Sequence, residues 1–212
     1  MSKKIFALLL ACVMMLSLAA CGSSSSGSSA AASKPAASAA ASTSASGEAA
    51  GLTEAFAEYP ALVTSGGQSA DYQMIGTVMG KLGMDYTLNN LATSADLGDA
   101  KTLVVVVGGS SKGLGAAGID ADGELARLDE LIKGAKDAGL SIIAMHTGGE
   151  ARRGDLSDKF ITPVFEQADY AIVVSGGNAD GLMTDICAGA GIPVDVIDSI
   201  SDVTTVLPAA FK

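Results

Sequence analysis

Apolar residues along this chain fall into short, evenly spaced blocks separated by polar stretches with helical spacing. Six blocks stand out: Ala61–Thr64, Asp85–Leu88, Thr102–Val107, Ser141–Met145, Tyr170–Val174 and Val194–Ile197. Several are continuous rather than alternating, the mark of strands covered on both faces. Between them the period lengthens. Leu125, Leu128, Leu131, Ile132 and Ala135 recur at three and four residues, which predicts a helix capped by Asp120 or Asp122 and ending near Gly139. Ser69 and Asp71 open another helix that closes at Gly83. Phe160–Gln167 and Asp180–Ala190 supply two more, with Pro163 starting or bending the first. A short turn is expected around residues 94–99. Strand–helix alternation of this kind implies right-handed crossovers and an α/β fold: a single doubly wound, mostly parallel sheet of five or six strands. The expected order is flavodoxin-like or Rossmann-like, 2-1-3-4-5, with the last strand at the edge.

The pattern changes before residue 51. Lys3 and Lys4 precede an apolar run, Ile5–Ser17, too short to span a bilayer, and Leu18-Ala19-Ala20-Cys21-Gly22 follows. This reads as a lipoprotein signal peptide over residues 1–20, with Cys21 as the lipidated residue of the mature chain. Residues 21–50 are almost entirely Ser, Ala and Gly. They hold no large side chain to bury and read as a disordered tether, its roughly 29 residues reaching about 30 Å as a coil. The expected location is the extracytoplasmic face of the cell membrane, with lipid on Cys21 as the anchor. Residues 51–212 then form one α/β domain, too short for a two-lobed solute receptor.

Charge narrows the partners. From Gly51 onward, twenty-two Asp or Glu face ten Lys or Arg, a net of −12. Such a domain repels phosphate backbones, so no nucleic-acid partner is expected. Cys187 is the only cysteine left in the domain, which excludes an internal disulfide; its surroundings suggest a small buried hydrophobe.

Candidate chemistry gathers where the strands end. Four blocks run into Gly-Gly and a polar residue: Gly66-Gly67-Gln68-Ser69, Gly108-Gly109-Ser110-Ser111-Lys112, His146-Thr147-Gly148-Gly149 and Gly176-Gly177-Asn178. Ligands of open α/β sheets bind beyond the carboxyl ends of the strands, where strand order reverses. Glycines there expose amide hydrogens, and helix N-termini favour anions. Lys112, Arg152 and Arg153 fall in the same loops and offer charge to a carboxylate or phosphate. Gln68, Ser110, Thr147 and Asn178 would set orientation. The leading expectation is a binding module for a small anionic molecule, needing no cofactor and able to serve a membrane transporter. It takes all of these residues except His146 as its site.

Two other functions fit the same residues. Gly109-x-Ser111-x-Gly113 matches a nucleophile elbow, and His146, the chain's only histidine, could serve Ser111 in an envelope hydrolase. Against this, Lys112–Ala117 make a poor helix. The loops could equally dock another envelope protein. Gly113, Gly115 and Gly118 form G-x-G-x-x-G too far from the strand for a dinucleotide fingerprint, and Lys112 lacks the spacing of a P-loop. In Asp120-Ala121-Asp122-Gly123-Glu124 the glycine comes too early for an EF-hand, so a helix cap is expected and no metal.

The Gly-Gly-Ser-Ser-Lys segment at 108–112 and Gly-Gly-Glu-Ala-Arg-Arg at 148–153 carry a resemblance that extends over about Tyr59–Phe211. Thr64–Ser69 and Asp180–Asp185 share in it. The chain resembles an uncharacterised family of exported bacterial lipoproteins with a single α/β domain of unknown function. The resemblance implies an α/β domain in the envelope and assigns no residue a role.

Overall fold

The computed structural model describes residues 50–212; the segments read as signal peptide and tether, with Cys21, lie outside them save for Ala50. Six strands form one parallel sheet: β1 (Ala61–Gly66), β2 (Tyr86–Leu88), β3 (Thr102–Val107), β4 (Ser141–His146), β5 (Tyr170–Val174) and β6 (Val194–Ile197). Their order is β2-β1-β3-β4-β5-β6, so strand order reverses between β1 and β3, in keeping with the flavodoxin-like order expected by analogy. Six α-helices connect or follow them: α1 (Asp71–Lys81), α2 (Ser111–Ala117), α3 (Ala121–Asp137), α4 (Asp155–Phe165), α5 (Leu182–Ala190) and α6 (Val203–Ala209). None of the described helices is long and apolar enough to cross a membrane.

Both faces of the sheet are covered, which explains the unbroken apolar blocks. Leu103, Val105, Val107, Ala144 and Val173 pack under α3, α4 and α5. Val104, Val106, Ile143, Met145 and Ile172 pack with Ile75 and Met79 of α1 and with Val203 and Leu207 of α6. Each fully buried Val, Leu or Ile contributes about 1.5–3 kcal/mol. With no alternation to set register, polar contacts at the strand starts help to do so. Asp169 Oδ2 accepts from Ile142 N (2.8 Å), and Thr102 Oγ1 donates to the Glu58 carbonyl (2.7 Å).

Helix signals held where capping chemistry was explicit. Asp120 caps α3, accepting from Gly123 N (2.8 Å). Three elements differ from expectation. The segment after Ser111 is helical: Ser110 Oγ accepts from Gly113 N (3.0 Å), Leu114 is buried, and Gly118 ends the helix in the left-handed region. Helix α4 begins at Asp155, five residues before Phe160, because Gly154 at φ 107° ends the preceding turn; Pro163 lies inside it. Helix α6 was not anticipated, being rich in β-branched residues and carrying Pro208.

Candidate functional site

The loop after β1 is the tightest part of the carboxyl edge. Gly67 (φ 106°) and Gln68 (φ 63°) turn the chain back. A methyl on Gly67 would press within 2.8 Å of the Gly108 carbonyl. Gln68 is the one non-glycine residue with positive φ among the described residues, a conformation that persists only when its surroundings impose it. The surroundings are unusual. Glu124 of α3 is fully buried and accepts from Gly67 N (2.8 Å) and Gln68 Nε2 (3.1 Å). Arg127, one turn on, closes on Glu124 (2.7 Å) and donates to the Ser65 and Ala92 carbonyls. Asn90 donates to Gln68 Oε1 (2.9 Å), and Gln68 Nε2 donates to the Asn90 carbonyl (2.8 Å). A desolvated ion pair therefore holds one loop in one strained shape. Sequence reasoning passed over Glu124, Arg127 and Asn90. A signal existed: Glu124 sits on the apolar stripe of Leu128, Leu131, Ile132 and Ala135, where a solvated carboxylate has no place.

The loops after β1 and β3 face each other, but they close on each other rather than on a hollow. Ser69 N donates to the Gly108 carbonyl, Gly108 N to Gly66, and Ser110 N to Gly67. Gly109 N donates to Ser157 Oγ (2.9 Å). The amide hydrogens expected to line a cradle there are thus occupied. From the β1 loop a polar chain runs across the end of β3 to the β4 loop. Ser69 Oγ bonds Asp71 Oδ2 (3.1 Å), and Arg152 Nε bonds the same carboxylate (3.1 Å). Gly108 and Gly148 lie beneath it, since a methyl on either would meet Asp71.

This arrangement splits the expected single hollow into two clefts with no lining residue in common. The first, about 260 Å³, lies at the strand-order reversal and is lined by Gln68, Ser69, Tyr72, Gln73, Asn90 and Gly113, with Leu91, Ala116 and Ala117 at its sides. No charged side chain lines it. The second, about 420 Å³, lies beyond β4 and β5 and is lined by Glu150, Arg153, Asp158, Gly176, Gly177 and Asp180.

Most predicted side chains in these loops are already engaged. Arg153 donates Nε to Asp158 (2.8 Å), Nη1 to the Gly177 carbonyl and Asp180 (2.9 Å), and Nη2 to Asp158 and Asp180. All five of its N–H groups are used, so Arg153 is corrected from an anion holder to a clamp joining two loops. Its bonds to Asp180 and Asp158 raise its pKa, and Arg153 in turn holds the Asp180 carboxyl below the usual range. Arg152 keeps Nη1 and Nη2 without a partner among the described residues, and Lys112 is exposed at the start of α2. Ser110 caps α2. Asn178 reaches the first turn of α5, accepting from Met183 N (2.8 Å) and donating to Thr184 Oγ1. Thr147 is buried with Oγ1 unpaired. Gly149 carries φ 60°, and Gly176 meets nothing that a methyl would touch.

Ser111 and His146 are not brought together. Ser111 is exposed, whereas His146 is fully buried with Nε2 on the Arg152 carbonyl (3.0 Å) and Nδ1 unpaired. Burial lowers the His146 pKa and favours the neutral ring. Cys187 is buried on α5, and burial pushes its thiol up to about 11, so it is unreactive at neutral pH. The described residues hold no His, Cys, Asp and Glu grouping suited to a metal ion.

A doubly wound parallel sheet whose carboxyl edge carries a braced left-handed turn beside an open cleft defines an α/β domain of the kind that places ligand sites on that edge. The chain belongs to the family described as "Domain of unknown function (DUF6305)", whose model matches residues 58–211. No curated protein matches it. A solved structure titled "Crystal Structure of TesA" overlaps 64% of this chain and 77% of its own, at 13% identity and a TM-score of 0.29. An overlap of that quality bears on neither fold nor activity.

Proposed function

We propose that this domain is a binding module for a small polar molecule, which sits in the uncharged cleft where strand order reverses. The observation that carries the reading is Gln68. It is a non-glycine residue in a left-handed conformation on the cleft wall, braced by a buried Glu124–Arg127 pair. A buried ion pair adds little net stability over an apolar substitute, so its value here lies in the loop it shapes. The lining supplies amides and hydroxyls from Gln73, Asn90 and Tyr72, and the volume suits a solute smaller than a nucleotide. An anionic group on that solute falls to Lys112, which precedes the lining residue Gly113. The reading of Leu18-Ala19-Ala20-Cys21 as the end of a lipoprotein signal peptide supports placing the module outside the cytoplasmic membrane, anchored by lipid on Cys21 and able to pass its solute to a transporter.

A thermal-shift panel of amino acids, dicarboxylates, small sugars and nucleotides on residues 50–212 tests this. The expected result is stabilisation by one small class, lost in Ala116→Trp, which fills the cleft from an exposed helical position. Stabilisation that survives Ala116→Trp contradicts the assignment.

A further inference from the structure

The second cleft is bounded by loops that converge on one buried imidazole. His146 ends β4 with its ring fully buried. Because its Nε2 faces a carbonyl, that of Arg152, Nε2 is the protonated nitrogen and Nδ1 carries a bare lone pair. No donor reaches Nδ1. Its Cε1–Nδ1 edge is covered by Gly177, where an added methyl would stand 2.6 Å from Nδ1 and 3.2 Å from the Gly149 carbonyl. The same ring thus supports Arg152 from below and packs against the β5 loop. Arg153 bridges the two loops from above through the Gly177 carbonyl and the Asp158 and Asp180 carboxylates.

We propose that His146 is an acid-sensitive latch, whose protonation releases the loops at residues 147–154 and 175–180 and opens the cleft between them. A proton on Nδ1 creates a donor whose nearest acceptor is the ring's own backbone carbonyl, outside good hydrogen-bond geometry, and a cation in a buried place. The charged groups around it do not remove that penalty. Arg152 and Arg153 on the β4 loop repel a second cation. Asp71 of α1 attracts it but is bound to Arg152, and Asp158 of α4 and Asp180 beyond β5 are bound to Arg153. Opening lets water solvate the imidazolium. The change stays local because α3 and the sheet interior carry no part of the latch. This inference is independent of what the first cleft binds.

Being the only histidine, His146 gives one imidazole signal in protein labelled at histidine. That signal is followed from pH 8 to pH 4.5, alongside amide hydrogen exchange corrected for intrinsic rate. The expected result is a titration below the ordinary histidine value of about 6.5. Protection should fall at least tenfold in both loops over the same pH interval and stay unchanged in α3. His146→Gln, whose amide can still donate to the Arg152 carbonyl, should keep the loops protected throughout. Loops that stay protected while the ring titrates overturn the proposal. So does opening that follows another pH interval, or that persists in His146→Gln. Should His146→Gln fail to fold, the coincidence of the two wild-type curves remains the test.

Discussion

At the scale of the residue, the decisive contacts are those of Glu124. It accepts from Gly67, Gln68 and Arg127 with no exposure to solvent. Removing one member of a buried pair leaves the other charge unsolvated. Glu124→Gln is therefore expected to cost about 3 kcal/mol, read by urea denaturation. The double change Glu124→Leu with Arg127→Met should cost less than the two single changes added together, because it leaves no orphaned charge. A double variant whose losses simply add would show that the two side chains act separately. Glu124 was legible in principle. It lies four residues before Leu128 and seven before Leu131 on a face otherwise apolar, and Arg127 follows at the spacing of a helical ion pair. Gln68 was named from its position after a strand, but nothing in its neighbours announced the left-handed backbone.

At the scale of the element, helix α2 shows how tertiary contact overrides propensity. Two glycines inside seven residues argue against a helix, while its caps, Ser110 and Gly118, argue for one. The two glycines have different reasons to be there. Gly113 lies against the Gln68 carbonyl, where a methyl would overlap, whereas Gly115 faces open space. Gly113→Ala should destabilise by about 1–3 kcal/mol through forced separation of α2 from the β1 loop. Gly115→Ala should stabilise by about 0.5–1 kcal/mol. Equal effects from the two, read by thermal or urea unfolding, would contradict this packing. The strands and α3 were readable because burial on two faces and a capped apolar stripe leave strong patterns. Helix α6 was not readable: Val203, Val206 and Leu207 pack on the sheet in a segment whose β-branched residues and proline carry little helical signal.

At the scale of the whole molecule, the α/β class followed from the alternation of elements and the strand order only from analogy, while the division of the carboxyl edge followed from neither. The Ser69–Asp71–Arg152 chain joins residues 83 positions apart in sequence, and no local pattern predicts such a bridge. Acid unfolding should show two stages. His146 has a depressed pKa in the fold, so its neutral form contributes stability that is complete above about pH 6.5 and declines as pH falls below that value. Asp96 and Asp180 also have lowered values, but as carboxylates they lose their contribution only as pH falls below about 4. The first stage should be missing in His146→Gln and the second retained. A wild-type stability flat between pH 6.5 and 5 would contradict the assignment of a neutral buried ring.

The claim on which the account turns is that the uncharged cleft beside Gln68 is where a solute binds. Amide shift mapping on residues 50–212, with whichever panel molecule stabilises the fold, tests it directly. The predicted result is a set of saturable changes centred on Gln68–Gln73, Asn90, Leu91 and Gly113–Ala117. Changes centred instead on Glu150–Asp158 and Gly176–Asp180 would place the ligand elsewhere and contradict it.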